Sequence, residues 1–533
     1  MFYEDLYSST KPQDRSKLRI EKSTTEDNDE VPPILHKEVT HAIAQMKDNK
    51  APGIDEITSD IIKAGGDEAA IQLTKLYNQI LQSKKIPQKW KEAKVILLHK
   101  KDDKADIKNY RPISLLSHVY KIFTKIIQTR LKDILDQNQP REQAGFKGGY
   151  STTDHLQAAN QLIEKSNEYQ LNLCLGFIDY QKAFDSIEHT DMFDALRKIG
   201  IQRGYIAILE DIYTNATAKI HIDNDISKAF RIERGVRQGD TLSPKMFTAA
   251  VEDIFQKANL EERGININGE MLTDLRFADD VALTTTSVKE MEEQLIRLNR
   301  ESNKVGLKMH KGKTKFMTNF TTQETITIDN HQIEKVDKYK YLGQTLKMEN
   351  NTEEEILARI KAGWRSFGIH KNILTDKDIP MTLRSRVYDQ CVLTTIVYGA
   401  ETWSTTREME QKLITTQRAM ERKMLSISLR DRVRHTEIRK RTKVKDIMEK
   451  IKESKWRWAG HIARTVDNRW TKRLTDWQPR TGKRRRGRQK RRWSDDITVY
   501  MGTTAWGRSA SSRSKWIHLK EGFVQQWTKQ PVR

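Results

Sequence analysis

Residues 171–178 read LNLCLGFI and run straight into Asp179. A largely apolar run of this length is what a strand covered on both faces needs. An acid at the end of a buried strand costs desolvation energy unless something compensates it. A second acidic site lies within residues 272–283, where two short strand-like pieces are broken at Ala278-Asp279-Asp280. That pattern predicts a hairpin with the acids at its tip. Brought together, the two sites repel unless a cation lies between them. Magnesium takes a few carboxylates plus substrate phosphates, and two such ions about 4 Å apart suit in-line displacement at phosphorus. An Asp-Asp pair in a turn is most often only a turn, so the spacing by itself leaves both readings open.

Around these acids the chain mixes helices with short strands. Helical periodicity dominates residues 35–82, with Ile71, Leu76, Ile80 and Leu81 near one face of a helix over 68–81. Residues 94–98 predict a strand, and 119–135 a helix that buries Ile122, Ile126 and Ile127. Ser287 and Glu290 predict a capping box. It opens a helix with Met291, Leu295, Leu298 and Val305 on the apolar face and Gly306 at its end. Helices return over 353–455. Residues 1–34 are polar, end in Pro32-Pro33 and predict a linker. The expected class is α+β with an antiparallel sheet, followed by a helical, basic end.

The chain has 533 residues and a net charge of +22, all of it carried beyond residue 400, where 36 Lys and Arg face 14 Asp and Glu. A neutral body with a basic tail points to a polyanionic partner, nucleic acid first. Nine of the eleven tryptophans also lie in that tail. No apolar run approaches the roughly 18 residues of a membrane span, so the expectation is a soluble, intracellular protein without a membrane partner. Cys174 and Cys391 lie far apart, which argues against a disulfide framework and a zinc knuckle.

Six strings occur in a fixed order: NYRPISLLS (109–117), FIDYQKAFDSI (177–187), GVRQGDTLSP (235–244), FADD (277–280), GLKMHKGKTK (306–315) and YLG (341–343). Together they resemble the reverse transcriptases of non-LTR retrotransposons, the RTE-like group in particular, over about residues 35–500. The resemblance implies a right-hand polymerase with fingers and palm over 35–346, a helical thumb over 347–450 and a nucleic-acid-binding region over 451–533. It implies an RNA template, a DNA primer or target, dNTPs and two magnesium ions, with manganese as the substitute. Intact members carry an endonuclease ahead of the polymerase; this chain opens instead in what resembles the linker before it.

By the same resemblance Asp179 and Asp279 hold the metals and Asp280 supports them. Phe184 matches the aromatic gate under the sugar, where a ring has room for hydrogen but clashes with a 2′-hydroxyl. Gln238 and Gly239 match the platform for template and nucleotide, glycine allowing close backbone approach. Lys100 and Arg111 match the finger cations that meet the triphosphate, arginine through its fork. Lys313 matches a proton donor to pyrophosphate, although His310 stands where the family most often has Asn. Tyr341, Leu342 and Gly343 match the primer grip.

In the tail, KWRWAGHIAR (455–464) and GKRRRGRQKRRWSDDI (482–497) interleave cations with indoles. Cations meet phosphate and indoles stack on bases for about 1–3 kcal/mol each. Lys483, Arg484, Arg485, Arg486, Arg488, Arg491 and Arg492 are the expected phosphate contacts, and the run also fits a nuclear-import signal, hence a nuclear as well as cytoplasmic location. Trp456 and Trp458 fit a small packed core equally well. The rival reading is a catalytically silent nucleic-acid-binding protein; an RNA-dependent RNA polymerase is disfavoured by Phe184 and by FADD in place of a Gly-Asp-Asp turn.

Overall fold

The computed structural model describes residues 2–9, 11, 30–100, 103–222, 225–260, 263–349, 351–484, 486–487 and 489–528. Arg485 and Arg488 lie outside the described residues, as does most of the expected linker.

Strand Cys174–Ile178 is the axis of the molecule, buried at every position. It pairs antiparallel with Asp280–Thr285 on one side and Lys315–Thr318 on the other, inside a six-stranded sheet. Successive side chains of a strand point to opposite faces, and here they serve two cores. Cys174 and Ile178 pack into one with Met291, Leu295 and Leu298 of helix Val288–Lys304. Leu175 and Phe177 pack into the other with Leu156 and Leu162 of helix Thr152–Glu168. Gly176 faces the first helix; a Cβ there would lie 2.4 Å from Met291 Sδ. An apolar run, rather than an alternating one, is therefore what this position demands.

A second sheet is built on the antiparallel pair Glu92–His99 and Tyr110–Leu115, with Thr217–Ile222 running parallel to the first of these strands. Helices Gly66–Ser83 and His118–Gln137 buttress this region through Tyr77, Ile80, Ile122, Ile126 and Ile127. Tyr77 is fully buried and Ile71 only half-buried, so the apolar face of the first helix is rotated from the expected one. Ser287 caps its helix by accepting the Glu290 N–H. The Glu290 carboxylate reaches the Thr286 N–H, one residue earlier than a reciprocal capping box requires.

Beyond the two-stranded hairpin Lys338–Tyr341/Gln344–Lys347 the chain is helical. Helices Glu353–Ile369 and Arg407–Met424 share a core with Tyr388, Trp403 and Ile447. Trp456, Trp493, Trp506 and Trp516 form a further core. Trp456 and Trp516 stack at 3.7 Å, and each indole N–H donates to the other's backbone carbonyl. Of the two readings of Trp456, packing holds. Trp458 is half-buried against His461. Helix Trp470–Asp476 folds back onto helix Thr152–Glu168, placing Trp470, Leu474 and Trp477 in the second core. Both cysteines are free thiols. Among the described residues no helix is long and apolar enough to cross a membrane.

Residues 2–9, expected as linker, are not bare coil. Helix Phe2–Tyr7 buries Tyr3 and Tyr7 against the rest of the chain.

Candidate active site

The strand register assembles the acids. Val281 pairs with Ile178, so the next residues toward the tip, Asp280 and Asp179, lie side by side at the ends of two neighbouring inner strands of the sheet. Phe277 pairs with Asp280, leaving Ala278 and Asp279 as a two-residue loop. Ala278 carries φ +60 while Asp279 does not have positive φ, the pattern of a type II′ turn that normally uses glycine at its first central position. Two contacts hold the unusual backbone. Gln143 Oε1 accepts the Ala278 N–H at 2.8 Å and the Gly145 N–H at 2.9 Å. Gly145 lies so close that a Cβ would meet Ala278 N at 2.4 Å.

Behind the turn lies a buried charge network. Arg276 forms ion pairs with Glu252 and Asp274, both at 2.7 Å, and its guanidinium covers the Phe255 ring at 4.2 Å. Gln143 Nε2 donates to Glu252. Burial pushes the Glu252 carboxyl up to about 7 in spite of Arg276. Neither Gln143 nor this pair carries a sequence signal: a glutamine in a glycine-rich loop reads as a solvated residue.

Two of the three acids, Asp279 and Asp280, are poorly neutralised by the protein. Burial and then the Asp179 charge raise Asp279 above the usual carboxylate range, opposed by its own backbone N–H, Lys100 and Arg111. Asp280 rises to about 6 through crowding by protein and then the Asp279 and Asp179 charges, though its outer edge is open to water. Asp179 Oδ2 accepts no hydrogen bond; Lys313 Nζ stands 3.3 Å from it as an ion pair. Among the described residues no three or more His, Cys, Asp or Glu side chains converge as a ready-made metal cage. Carboxylates that repel one another, one of them with a buried oxygen that accepts no hydrogen bond, fit a hard divalent cation that keeps water and phosphate among its ligands.

Of the expected nucleotide contacts, Lys100, Arg111 and Lys313 act on the acids. Lys100 and Arg111 lie on the hairpin Glu92–His99/Tyr110–Leu115, where Lys100 N–H donates to Asn109 O and Arg111 pairs with Leu98. Both cations are exposed and both act on Asp279. Phe184, in the short helix Ala183–Ser186, stacks on Phe247 at 4.2 Å and meets Phe146 edge-on. Gln238 O accepts the Ser114 N–H, and Gln238 Nε2 donates to Asp185 Oδ1 at 2.8 Å. Gly239, at φ +117, brings its backbone so near that a Cβ would lie 2.6 Å from Ser114 O. Asp185, next to Phe184 in the same string, is a buried hub, pushed to about 6 by burial against the bonds from Tyr7 and Gln238. His310 donates its backbone N–H to Asp179 O at 2.7 Å, tying the loop of Lys313 to the strand end.

Tyr341, Leu342 and Gly343 form the tip of their own hairpin. Leu342 and Gly343 both have positive φ, as a type I′ turn requires. Tyr341 is buried with its hydroxyl on Leu275 O, and Tyr339 stacks on Phe177 at 4.3 Å. Leu342 O accepts the Tyr398 hydroxyl and Gly343 O the Arg359 guanidinium, docking the turn on the helical region.

The basic run lies elsewhere. Arg484 and Arg492 both pair with Glu168 at the end of helix Thr152–Glu168, and Lys490 donates to Glu349 O. Arg491 is half-buried, while Lys483 and Arg486 are exposed. The cations expected on phosphate are thus partly engaged in holding the tail to the body.

The family model described as reverse transcriptase (RNA-dependent DNA polymerase) matches residues 98–346. A transposon-derived protein of Caenorhabditis elegans is 33% identical over 274 residues, 48% of this chain and 96% of that protein. The RNA-directed DNA polymerase from mobile element jockey of Drosophila melanogaster is 26% identical over 325 residues, 58% of this chain and 35% of that one. The chain thus spans about a third of the jockey enzyme. Among solved structures, apo telomerase from Candida tropicalis, truncated from its C-terminal domain, is similar over 52% of this chain and 59% of that one. Its identity is 15% and its TM-score 0.35.

Proposed function

Since the chain belongs to the reverse transcriptase family, we propose that it is an RNA-directed DNA polymerase, extending a DNA primer on an RNA template with dNTPs. The observation that supports this reading is the register that ends two neighbouring strands in Asp179 and Asp280 with Asp279 at the turn between. Asp179 and Asp279 would hold two magnesium ions with Asp280 beside them, and this pair would supply Lewis-acid chemistry at the primer 3′-hydroxyl and at the leaving pyrophosphate.

The chain's own residues do the rest. Lys100 and Arg111 receive the triphosphate from the finger side. Lys313, already beside Asp179, is placed to protonate pyrophosphate as it leaves. Phe184, braced by Phe247, bars a 2′-hydroxyl. Gln238 and Gly239 carry the base pair, and Leu342-Gly343 bear on the primer strand. We take residues 35–346 as fingers and palm, 347–450 as thumb and 451–533 as a further nucleic-acid surface. In target-primed synthesis the primer is a nicked chromosome, which places the work in the nucleus, with residues 483–492 as the import signal.

Purified protein assayed for dNTP incorporation on a primed RNA with magnesium, beside Asp279→Ala, tests the reading. Incorporation lost in the variant supports it. No incorporation by the parent, with salt-sensitive RNA binding retained, would instead leave a nucleic-acid-binding protein.

A further inference from the structure

We propose that the N-terminal helix Phe2–Tyr7 is a positioning element of the nucleotide site, with Tyr7 holding Gln238 in place through Asp185. The inference rests on the polymerase reading for its kinetic consequence, but its structural part stands independently.

Asp185 is buried, one residue after the gate Phe184. Its Oδ1 accepts two hydrogen bonds, from Tyr7 Oη at 2.9 Å and from Gln238 Nε2 at 2.8 Å. The backbone of Gln238 is fixed on its other side, where its carbonyl accepts the Ser114 N–H of the finger strand Tyr110–Leu115. Tyr7, Asp185, Gln238 and Ser114 therefore form one continuous chain of bonds from the N-terminal helix to the strand that carries Arg111.

The helix itself is held by independent contacts. Glu233 N–H donates to Tyr7 O at 3.0 Å, and the Arg234 guanidinium donates to Leu6 O at 2.8 Å. Lys182 lays its ammonium over the Phe2 ring at 4.4 Å. Tyr7 stacks on Phe230. At the other end Tyr3 Oη reaches Ile107 O and Tyr110 O at 3.4 and 3.5 Å, within the finger loop between Lys100 and Arg111. One short helix thus touches the palm behind the gate and the finger loop in front of it.

The geometry around Asp185 leaves little slack. Gly235 runs past it so closely that a Cβ would meet its backbone at 2.7 Å. Val236 N–H donates to Phe184 O and Gly235 N–H to Ile187 O, both at 2.7 Å. With the backbone pinned, the free variable is the direction of the Asp185 carboxylate. The Tyr7 hydroxyl fixes that direction, and with it the amide of Gln238. A bond made to a buried carboxylate is of the stronger kind.

Tyr7→Phe keeps the ring and removes only the hydroxyl. The expected result is a KM for dNTP raised roughly tenfold, the size of one hydrogen bond to a carboxylate, with kcat changed less than about twofold because the metal-binding acids are untouched. In a Gln238→Ala background the same substitution should add nothing, since its route is gone. Hydrogen exchange at the Ser114 amide should accelerate in Tyr7→Phe in the absence of nucleotide and template. An unchanged KM with unchanged Ser114 exchange overturns the proposal, as does a loss shared equally by kcat and thermal stability. If the parent does not polymerise, the polymerase reading fails by itself and Ser114 exchange still decides: faster in Tyr7→Phe supports the positioning role, unchanged refutes it.

Discussion

Gln143→Met should damage both stability and turnover, and the structure gives the size. Gln143 is completely buried and its volume is nearly that of methionine, so packing changes little. What is lost is polar. Two backbone N–H groups, of Ala278 and Gly145, lose their common acceptor at 2.8 and 2.9 Å. Glu252 loses a donor at 3.3 Å. A buried donor left without a partner costs about 1–3 kcal/mol, so two of them predict roughly 2–4 kcal/mol after partial relaxation. The same N–H of Ala278 helps maintain a positive φ that itself stores about 1 kcal/mol. Released, the turn carries Asp279 away from Asp179. Urea unfolding followed by circular dichroism reads the first effect and steady-state incorporation the second, where kcat should fall at least about tenfold while the KM for dNTP moves little. A destabilisation below about 1 kcal/mol with kcat intact would show that the turn keeps its shape by itself and that Gln143 does not hold it.

Glu164 is buried, accepts the Trp493 N–H at 2.7 Å and is raised to about 7 by desolvation. A raised carboxyl binds its proton more tightly folded than unfolded, so its contribution is complete below about pH 4.5 and is lost as pH rises through about 7. Glu164→Gln should flatten that decline in the urea midpoint between pH 5 and 7.5; an unchanged slope would assign it to other groups. Phe184→Ala should raise rNTP use relative to dNTP at least about tenfold, measured as a ratio of kcat/KM, and an unchanged ratio would remove Phe184 from the gate. Lys84 closes helix Gly66–Ser83 at φ +52, so Lys84→Gly should add about 0.5–1 kcal/mol to stability; a loss on thermal unfolding would mean the side chain packs more than its exposure suggests.

The legible parts of this protein are those where chemistry and pattern coincide locally. The apolar run 171–178 ending in an acid suits a strand covered on two faces, and its part Cys174–Ile178 is that strand, with Asn172 left exposed ahead of it. Asp279 announces a tip because the flanking pieces are too short for anything but a hairpin. Partners distant in sequence leave no such mark. Arg484 and Arg492 carry the sign of a phosphate contact, yet both pair with Glu168, more than 300 residues earlier. Gln143, in a loop, and Asp185, in a four-residue helix, are polar residues that look solvated until the fold closes over them. Tyr3 and Tyr7 sit in a polar stretch whose composition resembles a linker, and only the cleft they fill makes them core.

The return of helix Trp470–Asp476 to helix Thr152–Glu168 has a bearing on how the chain is made. The pair Asp154–Arg469 spans 315 residues, and Trp470, Leu474 and Trp477 complete the face of the sheet that Leu175 and Phe177 begin. At about 5–20 residues per second on the ribosome, that face waits roughly 15–60 s for its cover. During this interval an apolar surface beside the emerging polymerase motifs is open to chaperones or to another nascent chain. Chains broken off before Trp470 would keep every motif from 109 to 343 and still leave that surface bare. Their fate in a cell is then set by aggregation rather than by any damage to the chemistry.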